Sequence, residues 1–209
     1  MITLNKKQKK FVKSNKKQLM VSGLRGAGST TALLLSFIDF VDKGYGDKFK
    51  GIIFKHHYNA LGDLIKMSKK IVWDKWPDAK FHHSRNNNCK WVFPDGEELI
   101  FGGIHDEEHY NKYYHGQEYN FIGIDSAEVF EPQILELIKS IARGSSLFRI
   151  SAHPYGIGRD WLKENFVEKE NFIHLKFSKN PGIDHIPYAE QFAELKRSNS
   201  NFYKNYPKL

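Results

Sequence analysis

The segment Gly23-Leu24-Arg25-Gly26-Ala27-Gly28-Ser29-Thr30 joins residue types whose combined chemistry is anion binding. Its glycines let successive backbone N–H groups turn toward one point, and a helix beginning near Thr30 would aim its N-terminus there too. This is the GxxxxG frame of a phosphate loop. In the full motif a lysine follows the last glycine and reaches the β and γ phosphates, and the next hydroxyl holds magnesium. Here Ser29 takes the lysine place and Thr30 the hydroxyl place, with Thr31 beyond it. Backbone amides form the cradle, so it survives the change, but a charge that would neutralise a transferring phosphoryl group is missing. Arg25 is the cation left within the loop. A glycine-rich strand-to-helix turn with no ligand has the same residues, and the sequence leaves both readings open.

A second candidate is Phe121-Ile122-Gly123-Ile124-Asp125, an apolar strand ending in an acid. In phosphate-loop proteins such an acid binds the magnesium water shell, and a glutamate directly after it orients the attacking water. Here Ser126 follows, and Glu128 lies two further on. A strand-end aspartate also serves as a helix cap. Ten histidines raise a metal reading, and His105 and His109 have the spacing that aligns rings on a helix. The HExxH pattern is broken by Asp106, no third ligand is indicated, and the pairs His56-His57 and His82-His83 read as solvated surface. Trp73, Trp76 and Trp161 read as core anchors.

The elements that must position these groups alternate along the chain. Strands are predicted at Gln18–Ser22, Gly51–Phe54, Tyr119–Ile124, Leu147–Ser151 and Phe172–Phe177. Helices are predicted at Thr30–Val41, Ala60–Val72, Pro132–Ala142 and Arg159–Phe166. Lys90–Phe93 and Glu98–Phe101 flank the turn Pro94-Asp95-Gly96 and predict a hairpin. That order gives an α/β class with a mostly parallel central sheet flanked by helices and a β-hairpin insertion. The 209 residues, 40% apolar and 27% charged, suit one main core. One cysteine, Cys89, excludes an internal disulfide or a cysteine zinc site. No apolar run approaches the roughly 20 residues of a membrane span. The net charge of +8 is local, because Lys6, Lys7, Lys9, Lys10, Lys13, Lys16 and Lys17 supply nearly all of it. That head is either a solvated helix face or an attraction for a polyanion such as the DNA backbone.

Five stretches in register resemble the ATPase domain of the large terminase subunit of tailed bacteriophages. They are Leu4 to Gly23 with Gln8, the loop Gly23 to Thr31 with Arg25, Asp95 to Tyr119 with Tyr114-His115-Gly116-Gln117-Glu118-Tyr119, the strand Phe121 to Asp125, and Ser151-Ala152-His153-Pro154-Tyr155-Gly156-Ile157-Gly158. The resemblance implies a phosphate-loop NTPase of the additional-strand type, binding ATP and Mg2+ and coupling hydrolysis to packaging of double-stranded DNA. Gln8 would contact adenine, Gly23, Leu24, Arg25, Gly26, Ala27, Gly28, Ser29, Thr30 and Thr31 the phosphates, and Thr30 with Asp125 the metal. Ser151, His153, Pro154 and Gly156 would form the coupling motif, and His115 would stand where relatives carry an arginine acting on a neighbouring subunit. The implied partners are a homo-oligomeric ring on a capsid portal and a small terminase subunit, in the cytoplasm of the infected bacterial host and without a membrane.

The departures from the family pattern all concern chemistry. Ser29 replaces lysine, Ser126 glutamate, His115 arginine and His153 asparagine. They imply weak or absent hydrolysis, with Arg25 and Glu128 as catalytic substitutes beside Asp125, or else a non-hydrolysing pseudo-ATPase serving assembly or DNA binding. A third reading is nucleic-acid binding through the lysine-rich head alone. The expected organisation is an ATPase-like domain over 1–197 and a tail or linker over 198–209. A nuclease domain would need on the order of 150 further residues, so none is expected.

Overall fold

A computed structural model describes residues 2–83, 89–142, 144–153, 155–176 and 179–181. The expected tail over 198–209, the end of the predicted strand at Phe177, and Pro154 of the coupling motif lie outside the described residues.

In chain order the elements are α1 (Lys6–Val12), β1 (Gln18–Gly23), α2 (Ser29–Val41), β2 (Lys50–Lys55), α3 (Gly62–Lys75), β3 (Lys80–His82), β4 (Cys89–Val92), β5 (Glu98–Gly103), α4 (Glu107–Tyr113), β6 (Phe121–Asp125), α5 (Pro132–Ser140), β7 (Leu147–Ala152), α6 (Arg159–Leu162) and β8 (Phe172–Leu175). They build an eight-stranded sheet in the order β3-β4-β5-β2-β6-β7-β1-β8. The run from β5 to β8 is parallel throughout, and β4 and β3 extend it antiparallel at one edge. The predicted hairpin is therefore part of the sheet, because its second strand β5 also pairs with β2. The helix predicted over Arg159–Phe166 is α-helical only to Leu162 and continues as a π-turn from Lys163 to Val167.

The central strands are buried on both faces, as parallel strands covered by helices must be. Alternate residues divide between two cores. Leu19, Val21, Ile53 and Phe121 pack with Phe11, Leu33, Phe37, Leu64 and Trp91 beneath α1, α2 and α3. Met20, Ile52, Phe54, Ile122, Ile124 and Ile150 pack on the opposite face with Tyr110, Leu135, Trp161 and Phe166, beneath α4, α5 and α6. Gly51 lets α2 lie close, since a Cβ there would collide with the Phe37 ring. Among the tryptophans Trp91 is fully buried and Trp161 nearly so, whereas Trp73 is 46% exposed. The indole N–H of Trp73 donates to the Ala79 carbonyl, so its ring covers the edge of the sheet rather than filling the core.

The lysine-rich head is a docked element. Asn5 and Gln8 form a capping box at the start of α1, each side chain accepting from the other's backbone N–H at 2.9 Å. Phe11 and Val12 bury the inner face. Four of the seven lysines are tied to the domain: Lys7 to the His174 carbonyl, Lys13 to buried Asp39, Lys16 to the Glu170 carbonyl and Lys17 to the Gly144 carbonyl. Behind them Arg149 of β7, fully buried, donates to the carbonyls of Ser14 and Lys17. Lys6, Lys9 and Lys10 are exposed on the outer face of α1.

Candidate functional site

Because β1, β7, β6 and β2 run parallel, their carboxyl ends form one edge, and the chemistry-bearing residues gather there. The loop after β1 passes through Gly26 at φ +84° and Gly28 at φ +81° into α2. A side chain at Gly28 would be strained by that φ and would collide with Gln8 Nε2. The first amides of α2 have no partner within the helix and open into the loop's concave side.

What shapes the loop is the capture of its carbonyls from outside. His153 Nδ1–H donates to the Gly23 carbonyl at 2.7 Å, Asn180 Nδ2 to the Gly26 carbonyl at 2.7 Å, and Gln8 Nε2 to the carbonyls of Ala27 and Gly28 at 3.3 and 3.5 Å. In a trans peptide the next residue's N–H points the opposite way, so outward carbonyls turn the amides of Gly28 and Ser29 inward. Gln8 is 1% exposed and its side chain is committed to the loop and to Asn5. Arg25 is exposed. The Thr31 hydroxyl turns away from the loop, to Met67 Sδ on α3 at 3.5 Å.

The loop meets the second candidate directly. Thr30 Oγ1 donates to Asp125 Oδ1 at 2.9 Å, and Ser151 Oγ of the intervening strand β7 donates to the same oxygen. Asp125 is fully buried. Its other oxygen, Oδ2, lies 2.7 Å from Lys55 Nζ, at the end of β2, as an ion contact without a directed hydrogen bond. Lys55 also donates to Ser126 Oγ at 3.1 Å. Lys55 was not singled out in the sequence. The signal was there, since a lysine closes the apolar run Gly51–Phe54 as the aspartate closes Phe121–Ile124, but strand pairing had to place the two side by side.

Ser126 adopts the left-handed conformation at φ 61°, which bends the chain after Asp125 and brings Glu128 back beneath β7. The Glu128 carboxylate accepts from the His153 backbone N–H at 2.9 Å and is 3% exposed. Burial pushes its carboxyl above the ordinary value, the neighbouring His153 opposes the shift, and Asp125 adds to it. Gly156, at φ +107°, passes so close to the Glu128 carbonyl that a Cβ would collide with it. His153, Gly156 and Glu128 are thus one contact group, with the His153 ring stacked on Tyr155 at 5.5 Å, while Ser151 meets Asp125 and the Ser126 N–H. His115 is exposed just beyond α4, its ring against Tyr110.

Glu128 couples folding to pH. The folded state holds its proton more tightly than the unfolded chain, so stability is lost as pH rises from the ordinary carboxylate value through the raised folded value. Glu128→Gln keeps an acceptor for the His153 N–H and removes that loss. As pH rises from the ordinary carboxylate range toward neutrality, its melting temperature should gain on that of the unmodified chain. Parallel pH profiles of the two chains would refute the assignment.

His56, His57, His105 and His109 form a ring-contact series. Among the described residues no group of three or more His, Cys, Asp or Glu side chains is placed to hold a metal ion. No helix among them is long and apolar enough to cross a membrane.

A glycine loop joins a parallel strand to a helix, and one strand is inserted between that strand and the acid-bearing one, in a mostly parallel α/β sheet flanked by helices. Within the α/β class the fold is that of the ATPase domains of bacteriophage large terminases. The large terminase of a thermophilic bacteriophage superposes with a TM-score of 0.69 at 16% identity, over 87% of this chain and 48% of that one. The HK97 bacteriophage large terminase gives 0.68 at 14% identity, over 98% and 50%. The Thermus phage P74-26 large terminase ATPase domain gives 0.67 at 13% identity, over 98% and 92%. The thermophilic phage protein also matches in its complexes with ADP and with ATP-gamma-S. The chain spans about half the length of the thermophilic phage and HK97 terminases. No protein-family model matches the sequence, and no curated protein matches it.

Proposed function

We propose that the chain is the ATP-binding domain of a viral DNA-packaging motor, an ATPase of the large-terminase kind with altered catalytic positions. The observation that carries this is the hydrogen bond from Thr30 to Asp125, which joins the loop to the acid-bearing strand. In this reading the amides from Leu24 to Thr30 receive the phosphates, apart from that of Ala27, which donates to the Leu24 carbonyl. Gln8 serves the nucleotide by holding the loop's outer carbonyls, and touching the base would require it to release them. The Thr30 hydroxyl and the Asp125 carboxylate are hard oxygen donors of the kind Mg2+ takes, and Asp125 Oδ2 has no directed hydrogen bond, so the pair fits that ion. Bound magnesium would supply neutralising charge at the phosphoryl oxygens.

Ser151, His153 and Gly156 would carry a change at Asp125 outward, because Ser151 touches its carboxylate and His153 touches both the loop and Glu128. Arg25 and His115, both exposed, are the groups free to reach across to a neighbouring copy in a ring on a capsid portal. Double-stranded DNA and a small terminase subunit would be the partners, in the infected host's cytoplasm. The residues over 1–197 would form the motor unit and 198–209 a linker. A second reading, a non-hydrolysing assembly subunit, is favoured by Glu128. Its carboxylate is held by the His153 backbone rather than directed to water, while Ser126 occupies the water-orienting position.

Calorimetry with ATP and magnesium tests the site. Gly28→Val, which forces a branched side chain onto Gln8 and onto a positive φ, is expected to weaken ATP binding at least about tenfold. Unchanged affinity in that variant would mean that the loop is not the site.

A further inference from the structure

The missing loop lysine has a counterpart elsewhere in the fold. Lys55 and Asp125 close β2 and β6, and Ser151, next to last in β7, lies in the same row, β6 pairing Ile124 with Phe54 of β2 and Asp125 with Ser151 of β7. Lys55 Nζ sits 2.7 Å from Asp125 Oδ2 and 3.1 Å from Ser126 Oγ, separated from the Thr30 hydroxyl only by the Asp125 carboxylate. We propose that Lys55 is the phosphate-binding cation of this site, entering from β2 to do what a lysine at position 29 would do from the loop.

Three observations carry the proposal. Lys55 is 17% exposed, so its ammonium is neither sealed in the core nor dispersed in solvent. Its partner Asp125 already holds hydrogen bonds from Thr30 and Ser151 on the other oxygen, so releasing Lys55 does not strip the carboxylate of all partners. A lysine ammonium is a mobile point charge on a four-carbon stem and can exchange one anion for another a few ångströms away without moving the backbone. Arg25 is exposed on the loop, and among the described residues Lys55 is the cation that touches the acid of the site. Without nucleotide Lys55 balances Asp125. With a polyphosphate bound it turns to the terminal phosphate, where its charge assists binding most.

The proposal rests on the nucleotide reading above, and one experiment separates the two. Binding of ATP, ADP and adenosine is measured by calorimetry, with and without magnesium, for the unmodified chain, Lys55→Met, Lys55→Arg and the double variant Lys55→Met/Ser29→Lys. Lys55→Met should weaken ATP at least about tenfold, ADP less, and adenosine not at all. Lys55→Arg should keep most of the affinity, and the double variant should recover it to within about threefold by returning the charge through the loop. A purely structural counterion to Asp125 predicts instead that ATP and adenosine suffer alike. That result, or ATP affinity within about twofold of the unmodified chain, overturns the proposal while leaving the nucleotide reading in place. No ATP binding by the unmodified chain overturns both. Because Lys55→Met leaves Asp125 less compensated, the unmodified chain supplies a second measurement, acetylation of Lys55 followed by mass spectrometry. ATP should slow the labelling and adenosine should not, and an ATP-insensitive labelling rate refutes the assignment without any variant.

Discussion

Placing lysine and glutamate together, as Ser29→Lys with Ser126→Glu, is expected to raise magnesium-dependent ATP turnover about 100-fold or more over the unmodified chain. The lysine would add fixed charge at the phosphates, and the glutamate would give the attacking water an acceptor. The two singles should fall well short of the pair. Ser126 Oγ lies 3.1 Å from Lys55 Nζ, so a glutamate introduced there alone would be drawn onto that ammonium. With a lysine supplied at position 29 as well, Lys55 would be left to balance the acids at Asp125 and at position 126. The bend after Asp125 is already present, since Ser126 holds φ 61° in the unmodified chain. Steady-state phosphate release by the four chains decides the matter. Turnover by the unmodified chain equal to that of the double variant would show that the serines are no deficit and that Lys55, Arg25 or Glu128 already supplies the chemistry.

The second large effect concerns duplex DNA. With Lys7, Lys13, Lys16 and Lys17 engaged on the domain, Lys6, Lys9 and Lys10 are the head lysines available to phosphates, and their spacing sets them on one face of α1. Changing all three to glutamine is expected to reduce the salt slope of binding by about 2.7, at about 0.9 per phosphate, which is roughly 40-fold in affinity between 50 and 200 mM salt. Neutralising Lys13 or Lys16 should instead act on stability, because each holds a partner within the domain. A slope untouched by the triple change would move DNA contact to the folded face. No salt-sensitive binding by either chain would count against contact by this domain alone.

The parallel sheet was legible because its strands are short continuous apolar runs, and the glycine loop between β1 and α2 because glycine spacing is a local property. The bounds of β2 and β6 were less so. Lys55 is the polar end of an apolar strand, and only sheet pairing shows that it belongs to that strand and meets Asp125. The head was read as a charge run, since lysines dominate its composition, but Gln8, Phe11 and Val12 give α1 an inner face that needs β1, β8 and α2 before it means anything. Glu128 was named from the sequence for its distance from Asp125. Its attachment to the His153 backbone could not be foreseen, because it depends on a left-handed serine and on a glycine passing its carbonyl.

The place of β1 in the sheet also fixes an order of assembly. Its two neighbours are β7 and β8, the last strands described, so the strand that carries the loop pairs with nothing made before them. As the chain leaves the ribosome, β2, β5 and β6 can join one another while Gln18–Gly23, buried at five of six positions in the finished fold, waits without a partner. Non-local pairing of this kind is slow to form and leaves apolar strand exposed during synthesis. The loop acquires its final shape last, when β7 and β8 close around β1 and His153 and Asn180 arrive to take up its carbonyls. A ribosome stalled anywhere before β7 would therefore release a half-sheet whose glycine loop lacks the partners that hold its carbonyls, so the loop's geometry reports on completion of the sheet.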